Sequence, residues 1–160
     1  MIRAAVRKDA REILGIYSHY VENTAVSFEY QVPSLEEMEK RIEENGRKYA
    51  YLVLESDHHL LGYAYGSMYR GRKAYERTVE VSVYVHRDHL HEGYGKLLMK
   101  ELLASLKMKG MATAIAVITS ENEVSNKAFT AMGFTYSGHL PQVGFKFGSW
   151  HGINYYYKIL

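Results

Sequence analysis

Two glycines one residue apart, Gly93 and Gly95, stand where a run of alternating valines gives way to a helical pattern of leucines. Val79, Val81, Val83 and Val85 point to one face of a strand, and Glu80, Ser82, Tyr84 and His86 to the other. Leu97, Leu98, Leu102, Leu103 and Leu106 then recur at helical spacing. With no Cβ at positions 93 and 95, unpaired N–H groups and the positive end of a helix dipole can approach an anion closely. The junction therefore suits a phosphate-bearing cofactor. A dinucleotide fingerprint would need a third glycine where Leu98 stands. A nucleoside-triphosphate loop would need glycine in place of Leu90 and Ser or Thr in place of Leu97. Glu80 is the second group of interest, because glutamate is depleted in strands and this one sits among four valines. Half-buried, its carboxyl would have a pKa raised toward neutrality, which suits a general base; facing solvent or salt-bridged, it would do no chemistry. His86, His89 and His91 lie close together, but no cysteine or regular acidic partner accompanies them, so exposed imidazoles are expected and a metal is not.

The elements that must position these groups can be read along the chain. Ile2 to Val6 is a short strand, and Asp9 caps a helix running to about Glu22. Ser34 before Leu35-Glu36-Glu37 is a capping-box arrangement for a second helix ending near Gly46. Tyr49–Glu55 and Leu60–Tyr69 read as strands joined through Asp57-His58-His59. After the strand around Glu80, a helix runs to Lys109 with Gly110 as its stop. Ala112–Ile118 is a buried strand, Ser125–Met132 a helix, and Phe134–Gly138 and Ile153–Ile159 the last two strands around a long loop that holds Trp150. Pro33 and Pro141 are both placed in loops. The class is mixed α/β. At 160 residues and 47% apolar, with no Pro/Gly/Ser-rich linker, the chain reads as one domain, 1–160, with one core.

Composition narrows the classes further. A net charge of +2 forces no nucleic-acid partner, the one basic cluster being Arg70-Gly71-Arg72-Lys73. The absence of cysteine rules out a thiol nucleophile and suits a reducing compartment. Neither a signal-peptide pattern at the N-terminus nor an apolar run of membrane length is present, so a soluble cytoplasmic protein is expected.

The segment Leu90-His91-Glu92-Gly93-Tyr94-Gly95, between strand and long helix, resembles the acetyl-CoA pyrophosphate loop of the GCN5-related N-acetyltransferases (GNAT), usually Gln/Arg-x-x-Gly-x-Gly/Ala. Asn122 to Phe134 resembles the family's Asn-x-x-Ser/Ala helix that ends in Gly-Phe. Asn23-Thr24-Ala25-Val26-Ser27-Phe28, Thr78 to Val85 and Pro141 to His151 are similar to the phosphinothricin and L-methionine sulfone (sulfoximine) acetyltransferase branch. The resemblance implies the GNAT fold: a twisted, mostly antiparallel seven-stranded sheet, splayed at its centre between the strands at Val83 and Val117 and flanked by about four helices. It implies acetyl-CoA as co-substrate and transfer to the α-amine of a small amino acid or analogue by direct attack in a ternary complex. The implied cofactor contacts are Val83, Tyr84 and Val85 on the splayed strand, His91, Glu92, Gly93, Tyr94, Gly95 and Lys96 at the loop, and Asn122, Ser125 and Phe129 on the later helix. Glu80 takes the place of a general base acting through water. Phe28, Arg70, Arg72, Tyr75, Glu80, Val81 and Ser82 are the implied substrate contacts, the arginines suited to an oxyanion by their planar fork. A homodimer is implied as well.

Alternatives stand beside several of these roles. Phe28 is either an apolar wall or a core residue, Asn122 either a pantetheine ligand or a helix cap or both, and His151 either borders the amine site or supports a loop. Three departures from the family pattern bear on function. Leu90 removes a side-chain contact to the diphosphate, and Glu92 brings a negative charge that Lys96 or Arg87 must offset if cofactor binding is not to weaken. Phe129 stands where relatives place Tyr or His and cannot donate a proton to the departing thiolate, so slow turnover or a solvent donor is expected. Other functional expectations are acetylation of a protein N-terminus, a polyamine or an aminoglycoside, the polycations being disfavoured by the basic cluster, or a non-catalytic acyl-CoA-binding module.

Overall fold

The computed structural model describes residues 1–160. Its elements in chain order are β1 (Ile2–Ala4), α1 (Ala10–Asn23), α2 (Leu35–Lys48), β2 (Tyr51–Ser56), β3 (His59–Met68), β4 (Thr78–Val85), α3 (Tyr94–Met108), β5 (Thr113–Thr119), α4 (Glu123–Ala131), β6 (Thr135–Lys146) and β7 (Ser149–Ile159). One seven-stranded sheet has the order β1-β2-β3-β4-β5-β7-β6. Every neighbouring pair is antiparallel except β4·β5, which is parallel and is joined by the crossover helix α3.

The sheet carries a core on each face. Leu98, Met99, Leu102 and Leu106 of α3 are wholly buried against Val79 and Val81 of β4, Ala114 and Ala116 of β5, and Phe129 of α4. Truncating one such leucine to alanine would cost about 2–5 kcal/mol, so this face anchors the strand that carries Glu80. On the other face Ile13, Ile16, Tyr17 and Val21 of α1 and Met38 and Ile42 of α2 cover Tyr51, Val53, Leu60 and Tyr63. Tyr51, Tyr63 and Tyr65 stack with ring separations of 4.8–6.2 Å, and Tyr84 joins them 5.4 Å from Tyr63. The period-two valines and period-3.6 leucines thus form the layers their spacing demands.

Local chemistry departs from expectation in several places. Ser34 caps α2 as its sequence requires, accepting from the Glu37 N–H at 3.0 Å, but the helix runs past Gly46 to Lys48. Asp9 sits at the start of α1 without capping it. Its carboxylate instead takes two bonds from Arg3 (2.8 and 2.9 Å) and one from the Val6 N–H (2.8 Å), fixing β1 to the helix start. α4 begins at Glu123, two residues before Ser125. The larger correction concerns the C-terminal region, where no long loop holds Trp150. β6 and β7 form one long hairpin closed by Phe147-Gly148, both with positive φ (52° and 73°), as a tight two-residue turn requires. Pro141 lies within β6, not in a loop; the pairing with β7 slips there, between Leu140 and Gly144, and a proline without an N–H is tolerated at such a bulge.

Candidate active site

The strands β4 and β5 are paired only at Thr78–Thr113, Val79–Ala114 and Glu80–Ile115. β5 keeps its seven-residue pairing with β7 to Thr119, while β4 keeps its pairing with β3 to Val85, so beyond Glu80 the sheet opens between them. The His86 N–H donates to the Leu61 carbonyl (2.8 Å), which directs the amides of even-numbered β4 residues to β3; the Val81 N–H closes the ladder to β5 at Glu80–Ile115, and those of Val83 and Val85 face the opening. A hydroxyl from Tyr20 on α1 donates to the Val85 carbonyl, leaving the Val81 carbonyl and both backbone groups of Val83 free to bind. Tyr84 lines the opening too, with its backbone turned to β3 and its ring in the tyrosine stack.

The opening is a shallow cleft, about 380 Å³ when the open solvent at its mouth is included. Val81, Ser82, Val83, Tyr84, Asn122, Ser125 and Phe129, all candidates from the sequence, meet there. Val26, Val117, Ile118 and Thr119 complete the lining. Neither Val26 nor Thr119 is a site candidate from the sequence: Val26 comes from the α1–α2 segment and Thr119 from the end of β5, and the two are tied by Thr119 Oγ1, which donates to the Ala25 carbonyl at 2.8 Å. Asn122 caps α4, accepting from the Ser125 N–H (3.3 Å) and donating to Ser125 Oγ (3.0 Å), and still faces the cleft. Phe129 is 2% exposed and meets Phe134 edge-on at 5.0 Å, forming an apolar floor.

At one end of the cleft lies the N-terminus of α3. Gly93 takes φ 83°, a conformation glycine adopts without strain, and turns the chain into the helix. The first N–H bonded back to this turn is Leu97 to the Gly93 carbonyl (3.1 Å), so Tyr94, Gly95 and Lys96 present theirs outward. A Cβ on Gly95 would touch only Val85 and Val83, at 3.6 and 3.9 Å. The carboxylate of Glu92 lies 3.2 Å from Nδ1 of His89. His91 has φ 64° in the same turn. His86 accepts from the Asp88 N–H (3.1 Å), and no group of three or more His, Asp or Glu side chains is arranged to hold a metal ion.

Glu80 stands where the strands part, beside Val81 of the cleft lining but not itself in that lining. It is half-buried, its carboxylate engages no hydrogen bond or ion pair within the protein, and burial alone pushes its pKa up. Phe28 is half-buried rather than in a core: its ring fills the space over Gly144, where a Cβ would come within 2.3 Å of it, and lies 6.2 Å from the His151 ring. His151 bonds Glu121 (3.0 Å) and the Lys146 carbonyl (3.1 Å) and so supports the hairpin. Arg70, Arg72 and Tyr75 are not brought to the cleft lining. They stand exposed on the β3–β4 connection, at the Glu80 end of β4, with Arg70 over the Tyr69 ring at 5.3 Å and Tyr75 edge-on to it at 5.7 Å.

A parallel pair that opens beside a glycine-turned helix N-terminus defines an acyl-CoA-type acetyltransferase site, and the chain belongs to the GNAT acetyltransferase family: the acetyltransferase (GNAT) domain matches residues 2–153. It is 38% identical to the phosphinothricin N-acetyltransferase of Alcaligenes faecalis, over 93% of this chain and 77% of that protein. It is 32% identical to the L-methionine sulfoximine/L-methionine sulfone acetyltransferase of Salmonella typhimurium, over 96% of this chain and 91% of that one. The fold superimposes on a phosphinothricin acetyltransferase of Sinorhizobium meliloti, crystallised in complex with acetyl-CoA, with a TM-score of 0.96 at 34% identity, covering 100% of this chain and 88% of that one.

Proposed function

We propose that this protein is an acetyl-CoA-dependent N-acetyltransferase for the α-amine of a small amino acid or analogue of the phosphinothricin, methionine sulfone or methionine sulfoximine kind. The observation that carries the reading is the parting of β4 and β5 at Glu80, which leaves a cleft between unpaired helix N–H groups and an unpaired carboxylate. Acetyl-CoA supplies an acetyl group activated as a thioester. The N–H groups of Tyr94, Gly95 and Lys96, which follow the turn from His91 to Gly93, hold its diphosphate; Lys96 adds a positive charge and His89 bonds the Glu92 carboxylate. Val83 and Val85 offer backbone groups to the amide-bearing arm, and Asn122 and Ser125 face it from α4. Tyr84 packs behind it.

The chain's own chemistry is the removal of a proton and the stabilisation of a charge. An ammonium has no lone pair, so Glu80, its pKa raised by burial, takes a proton from the substrate amine through water. A β4 backbone N–H facing the cleft beyond the paired stretch, such as that of Val83, stabilises the negative charge that develops on the thioester oxygen. With no cysteine in the chain to carry an acetyl group, the amine attacks directly. Phe28, Val81 and Ser82 wall the substrate, and Arg70, Arg72 and Tyr75 reach its acidic head from the β3–β4 connection. The protein acts as a cytoplasmic homodimer; the cysteine-free composition suits a reducing compartment, and the exposed apolar face of the β6–β7 hairpin suits a second copy.

The test is thiol release from acetyl-CoA with methionine sulfone, methionine sulfoximine, phosphinothricin, common amino acids, spermidine and an aminoglycoside. Release with the first three is expected. A second reading, a non-catalytic acyl-CoA-binding module, is favoured by one observation: Phe129 is buried at the cleft floor and cannot donate a proton. Acetyl-CoA binding without release on any amine would favour that module.

A further inference from the structure

The segment between α1 and α2 is fastened in an unusual way. Residues 24–33 make no backbone–backbone hydrogen bond, so their carbonyls must be met by side chains or solvent. Thr24 and Ser27 are met by one group: the Lys146 ammonium donates to their carbonyls at 2.8 and 2.7 Å. Lys146 is 2% exposed at the end of β6 and forms no salt bridge; Glu29 is the carboxylate whose charge it feels, and its amine end lies 5.1 Å from the Phe147 ring centroid. Lysine is almost never fully buried without a partner, and here the partners are the two carbonyls that bracket Ala25 and Val26. Thr119 holds the Ala25 carbonyl between them (2.8 Å), and Tyr30 donates to the Phe145 carbonyl further along. The residues so placed are Val26, which lines the cleft, and Phe28, which seats on Gly144.

We infer that Lys146 is the positioning residue of the amine-side wall, its buried ammonium clamping the Thr24–Phe28 segment to the β6–β7 hairpin so that Val26 and Phe28 are held against the substrate. The inference rests on the acetyltransferase reading only in naming which ligand loses affinity. Removing the clamp frees the wall without touching the α3 N-terminus, so amine recognition falls and acetyl-CoA recognition does not.

The experiment compares wild type, Lys146→Met and Tyr30→Phe in three measurements: KM and kcat for methionine sulfone, Kd for acetyl-CoA, and the rate of chymotryptic cleavage after positions 28 and 30, with sites identified by mass spectrometry. Both positions stay aromatic in all three proteins, so the protease finds the same sites in each. Lys146→Met keeps the length and loses the donors, leaving two carbonyls unmet. The expected result is an amine KM raised about tenfold or more, with acetyl-CoA Kd within about twofold and cleavage in this segment accelerated. Tyr30→Phe, at an exposed clamp, moves KM and cleavage in the same direction by a smaller factor. Unchanged cleavage, or acetyl-CoA affinity falling in step with amine affinity, would overturn the inference. If Lys146→Met does not fold, Tyr30→Phe decides by the same criteria. If the wild type acetylates no amine, the functional reading fails, while cleavage still decides whether Lys146 fastens the segment.

Discussion

Glu80 is a carboxylate that folding works against. Burial raises its pKa and no partner in the protein lowers it, so the folded state favours the protonated form. Its contribution to stability is therefore present below the ordinary carboxylate range and is lost as pH rises through the raised value. At pH 7 to 8, Glu80→Gln should raise Tm by a few degrees, and the gain should shrink as the pH falls toward about 3, where the wild-type side chain is neutral in both states. The same change should lower kcat/KM for the amine by about 10²–10⁴ at neutral pH, because the base is gone. In the wild type, kcat/KM should fall with pH along an acid limb set above the usual carboxylate range. Thermal melts and pH–rate profiles of both proteins check this; a variant that neither gains stability nor loses rate would remove Glu80 from the chemistry. That residue is legible in the sequence, since a glutamate among valines is out of place in a strand. Lys146 is not: a lone lysine between Phe145 and Phe147 reads as an outward charge until its partners, 119 and 122 positions away, come into view.

Among the elements, the start of α3 separates two glycine roles. Gly93 has φ 83° with open space around it, so an added methyl meets no atom but must sit in a left-handed conformation that costs roughly 1–2 kcal/mol. Gly95 lies within the first helical turn, where a methyl makes ordinary contacts with Val85 and Val83 and alanine improves helix propensity by up to about 1 kcal/mol. Gly93→Ala should lower Tm and raise the acetyl-CoA Kd by about tenfold, because the turn that aims the N–H groups is lost. Gly95→Ala should keep or raise Tm and change Kd by no more than about threefold, equivalent to ~0.6 kcal/mol. Calorimetry with acetyl-CoA distinguishes the two, and equal losses from both substitutions would argue that the turn geometry is not what binds. Helix starts read well where the cap is local, as at Ser34. They read poorly at Asp9, whose carboxylate is claimed by Arg3. The β6–β7 hairpin is hidden because Pro141 and Gly144 look like loop residues, while the bulge that accommodates them needs a partner strand.

Across the whole molecule, the outer hairpin leaves apolar side chains in water. Phe145, Phe147 and Trp150 are 48%, 62% and 55% exposed, with Leu140 and Val143 beside them. Phe145 and Trp150 pair edge-on at 5.3 Å, a preformed aromatic surface that a second copy would cover. Light scattering should give twice the 18.4 kDa chain mass for the wild type and one chain for Trp150→Glu combined with Phe145→Glu. A wild type that stays monomeric at micromolar concentration would dismiss the homodimer. Because the same hairpin carries Lys146 and Gly144, a dimer formed through it would share one element with the proposed amine-side wall.

The periodic parts follow from the chain alone: valines at spacing two and leucines at helical spacing admit one strand and one helix, and two glycines between them make an anion-facing turn. The family follows too, since the motifs at Leu90–Gly95 and Asn122–Phe134 are local in the chain. Where β4 and β5 part is a matter of packing, because it depends on β5 holding β7 while β4 holds β3. Packing also leaves Arg72 and Tyr75 outside the cleft lining, brings Val26 and Thr119 into it, and lets a buried lysine fasten the segment carrying Phe28. Local spacing encodes which face a residue takes; which distant group meets it there is set by the folded whole, and the cleft between β4 and β5 is built from such meetings.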